Sequence, residues 1–171
     1  MNIFYLDNNQ SICAKYHVDK HVVKMILEYA QLLSTAHRVL DDQQLDPDMG
    51  LSIYKLTHKN HPSTIWVRKS ASNYRWLYEM WISLMDEYTY RYGKQHASGR
   101  LIDYLVNLPK NISTVGVFTE PTPAMPEEYM VPADSIQSYR NYYIKDKIHL
   151  HNWKQREVPS FIDADQMTSV N

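Results

Sequence analysis

Seven polar residues, His17, His21, Lys24, Glu28, Gln31, Thr35 and Arg38, follow one another at steps of four and three through a stretch without Pro or Gly. At roughly 100° of turn per helical residue, that spacing gathers them into one stripe about 100° wide. Plain solvent faces favour repeated Glu and Lys, whereas this stripe sets two imidazoles, an amine, a carboxylate and an amide side by side. Such a mixture suits proton transfer and nucleophilic attack, with Lys24 as the amine and Glu28 as general base or as its i,i+4 partner. His17 and His21 also have the spacing that lets two imidazoles share a metal, with His58, His61 or an Asp as further ligands, although the glutamate of HExxH is missing. No metal and no other cofactor is assigned on that basis. Asp19 and His37 fall on the opposite, apolar side and read as a buried hydrogen-bonded pair or cap. A solvated helix face is the alternative reading of the stripe.

A second cluster is THKNHPSTIWVRKSASNYRW, residues 57–76. His58, Lys59 and His61 precede a helix start at Ser63 and Thr64, where unpaired backbone N–H groups favour an anion. Arg68, Lys69 and Arg75 add cations, and Trp66, Tyr74 and Trp76 interleave with them, the mixture that phosphates and splayed bases require. The alternative is a helix whose rings are core and whose cations are solvated. YTYRYGKQH repeats the pairing with Arg91, Lys94 and His96, and residues 139–157 do so again with Arg140, Lys145, Lys147, Lys154 and Arg156.

These residues need elements to hold them. Residues 3–6 read as a short β-like lead-in, and Asp7-Asn8-Asn9 supplies N-cap residues for a helix over about 11–40. Residues 41–50, DDQQLDPDMG, read as a surface loop. Pro62 suits the first position of a second long helix running to Gly93. A shorter helix fits 99–107, another fits 133–147, and a last turn fits the segment around Trp153. Five of the eight prolines fall within 109–132, too many for helix or central strand, so this stretch reads as a long irregular loop that covers a site or is flexible. The expectation is a mainly α fold, a compact single-domain helical bundle over 1–162 with a proline-rich loop at 109–132 and a flexible tail at 163–171.

Composition narrows the function. The 171 residues suit one domain. Eighteen Lys+Arg against nineteen Asp+Glu give a net charge of -1, so any basic surface must come from local segregation, with the acids gathered in DDQQLDPD and EPTPAMPEE. The single cysteine, Cys13, excludes an internal disulfide and fits a reducing compartment. Four glycines and the absence of GxGxxG or GxxxxGK[ST] set aside folds built on phosphate-binding loops. With no apolar run long enough for a membrane span and no basic, apolar leader, the expected location is the cytoplasm. Fourteen Tyr and four Trp against three Phe give most rings a polar end, suited to a hydrogen-bonded core, to base stacking or to a homodimer interface.

A short N-terminal segment, a helix opening with AKYHVDKH, and HPSTIWVRKSASNYRWLYE leading to YRYGKQH together resemble the small all-α pyrimidine-dimer DNA glycosylases of the phage endonuclease V type. The likeness spans roughly the first hundred residues. The chain is also similar to a group of phage-encoded proteins with stretches like DKHVVKM and HKNHP. The glycosylase resemblance implies an N-terminal α-amine that attacks the deoxyribose C1′, a helix-borne glutamate that assists, and basic residues that grip kinked DNA. Two departures stand out. Asn2 occupies a position where the family has a small residue, and it should leave Met1 in place. Anchored on His17, the family's glutamate position is taken by Lys24, with Glu28 one helical turn further on. If the site has moved, Lys24 becomes the nucleophile, Glu28 shuttles protons beside His17 and His21, and His58, Lys59, His61, Arg68, Lys69, Arg75, Arg91 and Lys94 hold nucleic acid, with DNA favoured and RNA or a free nucleotide left open. Two other readings compete: a metal-dependent phosphoester hydrolase using His17 and His21, and a monomeric or dimeric binder of nucleic acid or a nucleotide without catalysis.

Overall fold

The computed structural model describes residues 1–162; the tail expected at 163–171 lies outside the described residues. It is mainly α, as the sequence reading expects. Residues 3–6 enter as extended chain rather than a strand, and Ile3, Phe4, Tyr5 and Leu6 are all buried in the core. Their backbone is satisfied by side chains: Tyr29 Oη accepts from Phe4 N–H at 3.2 Å and Cys13 Sγ from Leu6 N–H at 3.4 Å.

Asn9 caps α1 (Gln10–Tyr16), its side chain accepting from Ile12 N–H. The continuous helix expected over 11–40 is instead two. The chain is extended at His17 and Val18 and restarts as α2 (Asp19–Asp41). No Gly or Pro marks the break, because distant groups make it: Arg91 takes the carbonyls of Lys15 and His17, and Asp19 N–H donates to the Asn152 carbonyl.

The loop expected at 41–50 also differs. A 3₁₀ turn (Asp42–Gln44) is followed by α3 (Pro47–Ser52), started by an Asp46 cap with proline in its first turn. The second long helix divides as well, into α4 (Pro62–Val67) and α5 (Ala71–Tyr92). Ser70 between them accepts from Asn73 N–H as the cap of α5, and Gly93, at φ +63°, closes that helix in the left-handed conformation that glycine adopts without strain.

A 3₁₀ stretch (Ala97–Leu101) leads into α6 (Ile102–Leu105), and α7 (Ser135–Lys145) is followed by a 3₁₀ turn (Ile148–Leu150) before Trp153. The proline-rich loop is irregular apart from one 3₁₀ turn at Glu127–Tyr129 and an isolated bridge between Val131 and Asp134. Side chains pin it: Asp41 accepts from the backbone of Lys110 and Asn111, and Asn73 and Trp66 bond Thr119.

The core lies where α2 and α1 pack on α5. All four tryptophans are buried, so Trp66 and Trp76, like Tyr74, are core rather than base-stacking platforms. Their polar ends find partners inside, Trp81 donating to the Ile26 carbonyl at 2.9 Å and Tyr74 to that of Leu105 at 2.9 Å. Asp19 and His37 are both buried and hydrogen-bonded, but not to each other. His37 meets Tyr74 Oη and the Asn107 carbonyl, while Asp19 accepts from Arg91, Asn152 and the backbone N–H of Lys154.

Candidate active site

The extended entry segment lays the chain's first residue against the middle of α2. The Met1 α-amine lies 3.9 Å from Glu28 Oε2, and on its other oxygen Glu28 meets Lys24 Nζ at 3.2 Å. A cavity of about 210 Å³ opens here, lined by Met1, Asn2 and Phe4 from the entry segment, by His21, Lys24, Met25 and Glu28 from α2, and by Tyr142 and Lys147 from α7 and the residues after it. Asn2 Oδ1, at this wall, is buried with no hydrogen-bond partner. The three cavity groups differ in exposure: the Lys24 side chain is 68% exposed, Glu28 14% and Met1 7%.

The two histidines of the stripe do not share a face. His17 lies at the break, fully buried, with Nδ1 on the Cys13 carbonyl at 2.8 Å and Nε2 facing Tyr29 Oη at 3.2 Å. It belongs to the core beside the cavity, not to the cavity lining. Burial pushes its pKa down to about 4, with Arg91 adding to the effect and the Cys13 carbonyl opposing it. His21 stacks on Phe4 at 4.2 Å between ring centres and hydrogen-bonds Tyr143 Oη at 2.6 Å. Burial, and then the charges of His17, Lys147 and Lys24, push it down to about 3. At neutral pH both imidazoles are therefore uncharged. Among the described residues no three His, Cys, Asp or Glu side chains converge as a metal site would require, so the i,i+4 histidine pair read from the sequence is not assembled.

Burial lowers the His61 pKa, with the Met1 α-amine and His58 adding to the shift and Glu28 opposing it, so His61 is within electrostatic reach of the amine and the carboxylate. His58 and Lys59 are exposed on the HKNHP turn, as are Lys69, Arg75 and Lys94 further along. Arg68 donates to the Lys59 carbonyl at 2.6 Å and so fastens the turn.

Arg91 is the correction. Its side chain is wholly buried, donating to Glu87 at 2.7 Å, to Asp19 at 2.8 Å and to the carbonyls of His17 and Lys15, each at 2.9 Å. A guanidinium with every nitrogen hydrogen-bonded in the interior holds the fold rather than reaching out to a phosphate. The sequence could have flagged it, since Glu87 and Arg91 stand at i,i+4. What the sequence missed as site residues are Asn2, Phe4 and Tyr142, and it left Lys147 among the unplaced cations of 139–157. Nothing local in the chain brings these to α2.

A helical protein thus brings an amine and a carboxylate together at the wall of one small polar cavity. A family model described as pyrimidine dimer DNA glycosylase matches residues 1–98, more than half of the 171, and the chain belongs to that family. No curated protein and no solved structure matches it. Membership carries DNA as the substrate at family level. Among the described residues no helix is long and apolar enough to cross a membrane.

Proposed function

We propose that this protein removes a pyrimidine of a dimer from DNA and then cleaves the strand, through an amine that attacks C1′ beside Glu28. The observation that carries the reading is the Met1 α-amine 3.9 Å from Glu28 at the cavity wall. Between the two candidate amines, Met1, whose side chain packs into the wall, is favoured over Lys24, whose side chain is 68% exposed.

In the proposed sequence, the amine nitrogen forms a bond to C1′ while the glycosidic bond to the base breaks, the base leaving with the bonding pair and taking up a proton. Glu28 accepts the proton released from nitrogen and returns it to the ring oxygen as the sugar opens, which leaves an imine between protein and C1′. Abstraction of a C2′ proton then expels the 3′ phosphate. Uncharged His21, stacked on Phe4, gives the cavity a flat wall against which an extruded nucleotide can lie. His58, Lys59 and His61 on the HKNHP turn, with Lys69, Arg75 and Lys94 on outer surfaces, supply phosphate contacts. Arg68 positions that turn.

The test is incubation with plain and UV-irradiated duplex DNA, with and without borohydride, followed by peptide mapping of any adduct. The expected product is an adduct on irradiated DNA alone, carried by the peptide that begins at Met1. Mapping to Lys24 moves the nucleophile one residue cluster away, and absence of both adduct and nick removes the glycosylase reading.

A further inference from the structure

The family match ends at residue 98, yet one wall of the cavity comes from beyond it. Residues 139–156 return to the N-terminal half and are fixed there by Tyr143 on His21, Trp153 on the Tyr16 carbonyl, and Arg156 on Glu87. On this segment Lys147 is held by three contacts. Its backbone N–H closes the end of α7 on the Tyr142 carbonyl at 3.1 Å, and its ammonium lies 2.8 Å from Asp146 Oδ2 and 4.5 Å from the centre of the Tyr142 ring.

That restraint removes much of a lysine's rotamer freedom in return for an i,i+1 ion pair of small worth. A cation already fixed at the mouth of a polar cavity binds an anion without meeting that cost again. His21 senses Lys147, Lys24 and His149 together, so cations reach the cavity from α2 and from the C-terminal segment alike. A single nucleotide turned into such a cavity carries a phosphate on each side of its sugar, and one cation on each wall matches that pattern.

We propose that Lys147 is a substrate-contacting residue, a phosphate-binding cation that shares the cavity with Lys24 and holds the backbone beside the attacked sugar. Tyr142 and Asp146 are its positioning residues. The assignment rests on the glycosylase reading for the identity of the sugar but not for the presence of a polyanion.

The experiment measures binding of a 20-base-pair duplex, plain and UV-irradiated, by fluorescence anisotropy across a salt series, in a Glu28→Gln background that blocks turnover. Lys147→Gln is expected to weaken binding to both duplexes by about three- to tenfold at 0.1 M salt and to lower the slope of log K against log salt by about one. Lys147→Arg should restore the slope. An unchanged slope in Lys147→Gln overturns the proposal, and so does weaker binding accompanied by a fall in Tm with no change in slope, because that pattern belongs to a structural lysine. Nicking of irradiated DNA by the unsubstituted protein is scored separately. Without it the glycosylase reading falls, while a slope that depends on Lys147 still establishes the phosphate contact.

Discussion

Two glutamates in this molecule each stand between two cationic groups, and they do different work. Glu87 is 4% exposed, and both its oxygens are occupied: Arg91 and Arg156 share Oε1 at 2.7 and 2.9 Å, and Arg156 adds Oε2 at 2.9 Å. Burial alone would raise its pKa, but hydrogen bonds from the two arginines outweigh that and hold it below the usual carboxylate range. Glu28 is more open, its cations stand at 3.2 and 3.9 Å, and it faces a cavity. A buried carboxylate held by three hydrogen bonds from two guanidinium groups has little basicity left for a reacting proton, whereas a more open one beside an amine keeps it. The comparison teaches that charge pairing alone does not mark a site; the bonding capacity left over does.

The sharpest way to break the comparison is to exchange charge for amide at the open glutamate. Glu28→Gln should lower the single-turnover rate on irradiated DNA by about 10²- to 10⁴-fold, the range for losing a general acid–base group, with Tm little changed. A rate within a few-fold of the parent would remove Glu28 from the chemistry. At the closed site the signs reverse. Arg91→Ala leaves Glu87 and Asp19 without their shared partner and should cost about 3–5 kcal/mol. For a chain of this length that is a Tm lower by roughly 6–20 °C, read by calorimetry. Should Arg91→Ala instead keep its stability and lose salt-dependent DNA affinity, the assignment of the buried cluster as structural is wrong.

The buried histidines add a dependence on pH. Folded His17 and His21 titrate at about 4 and about 3, below the ordinary 6.5, so as the medium acidifies the unfolded chain takes up protons first. Their stability contribution is therefore whole above about pH 7 and declines from about pH 6.5 downward, by up to about 1.4 kcal/mol per pH unit for each ring. Urea midpoints at pH 7.5, 6 and 5 measure the decline, and His21→Asn should reduce it by about half. A slope untouched by His21→Asn would mean that some other group governs acid stability. The smallest effect is expected at Lys24. With its head in solvent, Lys24→Ala should move stability by no more than about 0.5 kcal/mol and leave the borohydride adduct in place. Loss of the adduct would transfer the attack to Lys24.

Most of the helices and the mainly α class were legible, because apolar spacing, a cap such as Asn9 and a first-turn proline such as Pro62 are local signals. The two breaks were not equally hidden. Ser70 stands three residues before Asn73 as a readable cap, while the break at His17–Val18 is produced by Arg91 and Asn152 from far along the chain and leaves no local trace. The same holds for the site. Lys24 and Glu28 share a face by helical arithmetic, but His17 left that face when the helix broke. The meeting of Met1 with Glu28 depends on residues 3–6 entering the core in extended form. Arg91 misled for a related reason, since a guanidinium in an aromatic, basic run looks the same whether it faces solvent or is enclosed by two carboxylates.

Cys13 gives the molecule a built-in reporter of opening. It is the only cysteine, fully buried, donates to the Phe4 carbonyl at 3.2 Å, and burial pushes its thiol up to about 12. In the closed state such a thiol is inert to alkylating and disulfide reagents, which require an accessible thiolate. Labelling can then proceed only when the packing around Cys13 opens, so the rate at which a thiol reagent is consumed times the release of the entry segment that carries Met1. A cysteine introduced anywhere on the surface would react long before it, giving a single-dye derivative without first removing the native thiol.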